Sequence, residues 1–208
     1  MKAALTLLLA ACAVASGAES HKWAVKITDQ PGLENFHRVT PNLYRGRQPT
    51  AEGLRSAENL GVKTVIDLRV FHSDADEAAG TKLKLERISF KTWHAEDDDV
   101  VRFLKIVTAR IRQPVFVHCL HGSDRTGTMI AIYRIAVQGW SKHEAIDEMT
   151  KGGFGFHPMW KNLIGYIEKV DVKSLKRRAG IPPWTPALRS RRDARAIRTA
   201  RGKSPPMQ

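Results

Sequence analysis

Short β-branched runs alternate with longer stretches of helical apolar spacing between residues 42 and 170, and this alternation constrains the fold more than any other feature. Asn42-Leu43-Tyr44-Arg45 reads as a short strand. Thr50 then stands as the N-cap of a helix that carries Leu54, Ala57 and Leu60 and ends at Gly61. Thr64-Val65-Ile66-Asp67-Leu68 is β-branched enough for a strand, 74–79 is expected to form a short helix, and 85–90 alternates like a further strand. From Val100, the residues Phe103, Leu104, Val107 and Ile111 keep the spacing of a helix, which Pro114 separates from the wholly apolar strand Val115-Phe116-Val117. A helix over 128–137 follows, then one opened by a capping box at Ser141 and Glu144, then one whose buried stripe is Trp160, Leu163, Ile164, Ile167 and Val170. The pattern predicts an α/β fold, a mainly parallel central sheet of about four to five strands with helices on both faces. Ligands of such sheets bind beyond the carboxyl ends of the strands.

The ends of the chain differ from this body. Met1-Lys2, an apolar run over 3–15 and small residues to Ala18 have the grammar of a secretory signal over 1–18, and about 13 apolar residues are too few for a membrane span of about 20. Leu9-Ala10-Ala11-Cys12 also resembles a lipoprotein box, in which 1–11 is removed and Cys12 becomes a lipidated N-terminus. Both readings make the protein exported, either periplasmic or secreted or anchored through Cys12; the plain alternative is an apolar N-terminus on a cytosolic chain. Export leaves Cys119 as the one unmodified cysteine, so no intramolecular disulfide is expected. At the other end, 173–208 carries 11 Lys and Arg against Asp193 alone, a net +10, whereas 19–172 carries only +2. The basicity therefore belongs to a Pro-containing C-terminal tail and not to the folded body. Such a tail is either a solvated extension or an adhesive for an anionic membrane or envelope surface, with Trp184 at the interface. Export makes nucleic acid an unlikely partner.

The last apolar strand runs directly into His118-Cys119-Leu120-His121-Gly122-Ser123-Asp124-Arg125-Thr126-Gly127. A strand ending in Cys, five residues, and Arg at the start of a helix is a geometry that wraps backbone N–H groups around a phosphate, with the helix dipole adding positive potential. The same field favours a thiolate, moving the cysteine from about 8.5 into the range of roughly 3.5–7.5 known for such settings. Arg125 suits two phosphoryl oxygens as a bidentate fork, which a lysine does not offer. Gly122 and Gly127 suit sharp turns or close backbone approach, and Thr126 sets a hydroxyl beside the sulfur. The plain alternative for Cys119 is a buried thiol packed as a small hydrophobe.

These residues resemble the signature of the cysteine-dependent protein tyrosine phosphatase superfamily, His-Cys-x-x-Gly-x-x-Arg followed by Ser or Thr, in its compact dual-specificity branch. The resemblance spans roughly residues 35–170 and makes 19–172 a phosphatase catalytic domain. It implies a phosphomonoester hydrolase that works through a phosphocysteine without metal or cofactor. Cys119 is then the nucleophile, Arg125 the phosphate clamp, Thr126 an aid to the departing thiolate and His118 an orienting residue, with Leu120, His121, Gly122, Ser123 and Gly127 around the substrate. Family members draw a general acid from a loop ahead of the signature, where Asp97, Asp98 and Asp99 stand, closer to Cys119 than is usual. Those three equally suit the first turn of the following helix. Asp124 competes for the role, as in branches with Asp-Arg-Thr inside the signature, and is preferred because the loop itself limits its distance from the sulfur. The plain alternative for Asp124 is a carboxylate that only pairs with Arg125 or caps the loop.

The five-residue loop lacks the lysines that relatives acting on inositol phosphates carry, so phosphotyrosine in proteins or a small phosphomonoester is the expected substrate, ahead of lipid or inositol phosphates; action on phosphoserine and phosphothreonine is open. Two other readings compete. One is a phosphate-binding module without turnover. The other is a sulfur-transfer or arsenate-reducing enzyme, for which further thiols are missing. His94 beside Trp93, and Phe154, Phe156, His157 and Trp160, either line the pocket or are ordinary loop and core residues. No His-x3-His or Cys-x2-Cys spacing announces a zinc site.

Overall fold

The computed structural model describes residues 23–182. The predicted leader with Cys12, and the tail with Trp184, lie outside the described residues. A six-stranded sheet runs in the order β1 (Val25–Lys26), β2 (His37–Thr40), β3 (Leu43–Arg47), β6 (Val115–Cys119), β4 (Thr64–Asp67) and β5 (Lys84–Arg87). Its centre is β6 (Val115–Cys119), buried at all five positions, which is why its first three residues are apolar and its fourth, His118, carries a buried hydrogen-bond partner. Parallel neighbours flank it on both sides: β3 (Leu43–Arg47) pairs from Leu43↔Val115 to Arg47↔Cys119, and β4 (Thr64–Asp67) from Thr64↔Val115 to Asp67↔His118. Next to β4, β5 (Lys84–Arg87) is a polar edge strand, also parallel. The sheet thus exceeds the expected four to five strands by its antiparallel end, β1 (Val25–Lys26) and β2 (His37–Thr40). β2 does alternate, with His37 and Val39 buried and Arg38 exposed. A histidine in a core-facing position hides that alternation in the sequence.

The two faces of the sheet bury separate cores. Alternate residues of β3, β4 and β6 divide between them: Leu43, Ile66, Val115 and Val117 face one, and Tyr44, Val65 and Phe116 the other. The second core is closed by α1 (Ala51–Asn59) through Leu54 and Ala57, and Thr50 caps this helix by accepting from the Gly53 N–H at 3.1 Å. The first core is closed by α2 (Asp97–Thr108), α3 (Asp124–Tyr133), α4 (Lys142–Lys151), α5 (Lys161–Lys169) and α6 (Val172–Ala179). The capping box at Ser141 and Glu144 is formed, and Leu163 and Ile167 are fully buried as the stripe required.

Four expectations change. Residues 74–79 close as turns, with the Ala78 N–H bonded to Asp74 O and the Ala79 N–H to Asp76 O, because the Asp74 side chain is drawn inward to other partners. α2 starts at Asp97, so the three aspartates form its first turn and complement its dipole. It stops at Thr108, which leaves Ile111 82% exposed in a separate 3-10 turn and outside the buried stripe. The boundary at 173 falls inside folded structure: Asp171 caps α6 by accepting from the Lys173 and Ser174 N–H groups, and Leu175 and Ala179 are buried. Lys and Arg cover the outer side of α6, so composition reads it as tail although its inner stripe belongs to the core.

Candidate active site

Cys119 ends the central strand, 2% exposed, and the chain turns through Leu120, His121, Gly122 and Ser123 into α3. Gly122 has φ +74, and a Cβ there would stand 2.4 Å from the backbone C and O of Gly46, so the loop lies directly on the end of β3. No side chain fits that approach. At Gly127 a Cβ would meet Met149 Cγ at 2.8 Å, which ties α3 against α4. The outside of the loop is pinned as well. Asn35 Nδ2 donates to His121 O at 3.0 Å and to Phe154 O at 2.9 Å, and the Ser123 hydroxyl donates to the same Phe154 O at 2.9 Å. Ser123 therefore does not cap the helix it precedes, and the amino end of α3 points its dipole at the loop beside Cys119.

Arg125 and Thr126 occupy the first turn of α3. Among the described residues Arg125 makes one long hydrogen bond, 3.4 Å from Nη1 to Leu68 O at the carboxyl end of β4. Thr126 is fully buried and its Oγ1 has no hydrogen-bond partner. Asp124 is buried, and both carboxylate oxygens are held by one residue: Oδ1 accepts from the His157 backbone N–H at 2.8 Å, and Oδ2 lies 2.8 Å from His157 Nδ1. It does not pair with Arg125.

Beneath the loop lie two arrangements that the sequence did not reveal. The first is Arg45, in the middle of β3 and buried. Its Nη2 donates to Gly122 O at 2.7 Å, its guanidinium lies 3.7 Å from the Phe154 ring centroid, and Nε and Nη1 have no hydrogen-bond partner. Burial pushes its pKa down to about 10; Glu148 and then Cys119 pull it upward and Arg134 downward. The second is a buried chain behind His118. His118 Nε2 lies 2.7 Å from Asp74 Oδ2, and Arg69 donates to Asp74 Oδ1 at 2.5 Å while gripping Asp67 with Nε and Nη2 at 2.9 and 3.0 Å. Burial alone would raise the Asp74 carboxyl, but His118 and Arg69 together hold it below the usual carboxylate range.

A family model described as "DSP-PTPase phosphatase fused to NAD+ Kinase" matches residues 23–162. The chain belongs to this family. It is thereby a cysteine-dependent phosphatase of the protein tyrosine phosphatase type, in the compact dual-specificity branch. Dual specificity protein phosphatase TpbA of Pseudomonas aeruginosa (strain UCBPP-PA14) is 37% identical over 161 residues, which cover 76% of this chain and 71% of that protein. The crystal structure of a Cys-to-Ser form of P. aeruginosa TpbA in complex with pTyr superposes with a TM-score of 0.68 and 30% identity, covering 80% of this chain and 99% of that one. The core catalytic domain of the PP-IP phosphatase SIW14 from S. cerevisiae, in complex with citrate, superposes with a TM-score of 0.63 and 26% identity, covering 74% and 95%.

Not every residue singled out in the sequence of this phosphatase meets at the loop. His118, Cys119, Leu120, His121, Gly122, Ser123, Asp124, Arg125, Thr126 and Gly127 do, on the β6–α3 connection. Asp97 is engaged elsewhere: the Tyr166 hydroxyl of α5 donates to its Oδ1 at 2.8 Å, and Arg178 of α6 lies 3.8 Å from Oδ2. Asp98 pairs with Arg178 too. The Asp99 carboxyl is raised, by burial and then by Glu96, against the pull of Lys91 and Arg102. Phe154 belongs to the core, stacked on Arg45, whereas Trp93 and His94 are exposed. Arg45 was hidden because a lone arginine within a short strand carries no local sign of facing inward. Asp74 was hidden because 44 residues separate it from His118, and His157, read as a candidate for the pocket wall, was not paired with Asp124 because the two stand 33 residues apart.

Proposed function

We propose that this phosphatase hydrolyses aryl phosphate monoesters, phosphotyrosine in proteins foremost, through a phosphocysteine on Cys119. The observation that carries the reading is the delivery of Cys119 by a buried central strand to the amino end of α3, with Arg125 in the first turn of that helix. Helix dipole and guanidinium favour the thiolate and hold the phosphoryl oxygens as charge redistributes over them. The thiolate attacks phosphorus, an S–P bond forms, and the P–O bond to the leaving group breaks as that oxygen takes a proton. Water then cleaves the S–P bond, giving inorganic phosphate and the free thiolate. The unpartnered buried hydroxyl of Thr126 supports a role in stabilising that departing sulfur. Asp124 with His157 is the pair we assign to proton delivery, since Asp97 is committed to Tyr166 and Arg178.

Two features favour an aromatic leaving group. The five residues between Cys119 and Arg125 include no lysine to collect extra phosphates. Exposed apolar side chains stand on the segments that follow three adjacent parallel strands: Phe71 after β4, Trp93 after β5 and Leu120 after β6. A second reading, action on inositol pyrophosphates, is supported by the likeness to the PP-IP phosphatase SIW14. Pre-steady-state hydrolysis of an aryl phosphate in the presence of chelator decides for the enzyme: a burst of phenol equal to the enzyme, absent in Cys119→Ser, is expected, and wild-type protein that binds vanadate without turnover refutes it. Comparing kcat/KM for a phosphotyrosyl peptide and an inositol pyrophosphate then separates the two substrates.

We further propose export, supported by the signal-like residues 1–18, and adhesion to anionic surfaces through the basic end of the chain, supported by its charge of +10 over 173–208. Cell fractionation tests the first. Salt-dependent co-sedimentation with anionic vesicles, before and after deletion of 183–208, tests the second.

A further inference from the structure

Among the described residues two groups bring three metal-ligating side chains together, and they differ in what already fills them. Asp67, Asp74 and His118 enclose the Arg69 guanidinium, which donates to both carboxylates. A cation is built into that cluster. His121, Asp124 and His157 form the other group, with one ligand atom from each lying within 4.8 Å of the other two. The hydrogen bonds to the Asp124 carboxylate all come from His157, and the His121 and His157 rings are exposed, 5.4 Å apart and tilted by 58°.

We propose that His121, Asp124 and His157 form a binding site for a borderline divalent transition-metal ion, Zn2+ first, at the rim of the catalytic loop, and that occupancy inhibits the phosphatase. Two imidazole nitrogens and one carboxylate oxygen are a donor set for Zn2+, Co2+, Ni2+ or Cu2+ and not for Mg2+ or Ca2+, which want oxygen. Tetrahedral zinc at bonds of about 2.0–2.1 Å needs ligand atoms about 3.3 Å apart, so His157 Nδ1 draws back from its 2.8 Å approach to Asp124 Oδ2 and the wider spacing to His121 closes, both by rotation of exposed rings. The backbone need not move. His121 is held through its carbonyl by Asn35, and His157 through its N–H by Asp124. Three protein ligands leave a fourth position open to water or a phosphate oxygen. Bound metal would replace the Asp124–His157 hydrogen bond, remove that pair from proton delivery and tie the side chain of His121 over the mouth of the loop. The inhibitory half of the proposal rests on the phosphatase reading; the binding half does not.

The test uses the full chain without an affinity tag. Zn2+ is titrated calorimetrically into wild type, Cys119→Ser, His121→Gln and His157→Gln, and Co2+ absorption reports the ligand type. One ion per chain is expected, with Kd unchanged in Cys119→Ser and raised more than about tenfold in each histidine variant. The cobalt complex should show visible d–d bands without a thiolate charge-transfer band, and Mg2+ should not compete. Binding that vanishes in Cys119→Ser, or that survives both histidine substitutions, overturns the site. Zinc inhibition is measured on aryl phosphate against each protein's own zinc-free rate. Zinc that binds through the histidines without slowing wild type overturns the regulatory half alone, and absence of zinc-free turnover counts against the phosphatase reading, not against the site.

Discussion

Arg45 is the residue whose removal best separates function from stability. A guanidinium whose pKa falls to about 10 is less stable inside the fold than in water by about 3 kcal/mol, at about 1.4 kcal/mol for each pKa unit. Because the folded value lies below the unfolded one for a base, that penalty is present in full at every pH below about 10. Set against it are the charge-assisted bond to Gly122 O and the stacking on Phe154, together about 2–4 kcal/mol. Replacement by the uncharged Met, of similar length, loses both sides. Arg45→Met should therefore unfold within about 1 kcal/mol of wild type, a change in Tm of about 2–4 °C. Catalysis should not be spared. The buried positive charge is coupled to Cys119, so its removal takes away a charge that favours the thiolate over the thiol. The acidic limb of the kcat/KM profile and the pH dependence of Cys119 alkylation should both move to higher pH, and Arg45→Lys should move them less. An unmoved limb, or a collapse of Tm by more than about 10 °C, would refute the argument that Arg45 is kept for the thiolate and the loop.

Three further outcomes follow from the geometry. Asp74 has a folded pKa below its unfolded value, so its contribution to stability is present above about pH 4 and is lost as pH falls through the folded value; Tm measured from pH 6 down to about 2 should fall more steeply for wild type than for Asp74→Asn. Gly122→Ala sets a methyl group 2.4 Å from the backbone of Gly46 at a φ of +74, and should abolish vanadate binding in equilibrium titration while the far-ultraviolet spectrum is retained. Leu175→Ala empties a fully buried position on α6 and should cost about 2–4 kcal/mol in urea unfolding; a loss below about 0.5 kcal/mol would return α6 to the tail.

The strands, helices and caps that depend on a few neighbouring residues are legible in the amino-acid order alone. Thr50 and the Ser141–Glu144 box cap their helices because their partners lie three residues away, and Val115-Phe116-Val117 reads as a central strand because a strand covered on both faces must be apolar at every position. The β6–α3 loop is legible for the same reason, as its cysteine, glycines and arginine all fall within about nine residues of one another. β2 and α6 are not. A histidine on the inner face of one and a basic outer surface on the other leave an average that resembles loop and tail.

What the amino-acid order determined by itself was the class of fold, the phosphatase family and the register of the loop that holds Cys119 and Arg125. What only the tertiary structure decided was which distant side chains support them: Arg45 under Gly122, Asp74 behind His118, His157 on Asp124, and Tyr166 drawing Asp97 to another part of the molecule. These pairings depend on which faces of separate elements meet once the two cores close. No local rule of spacing or propensity encodes that meeting, because the free energy that selects it comes from burial over the whole domain.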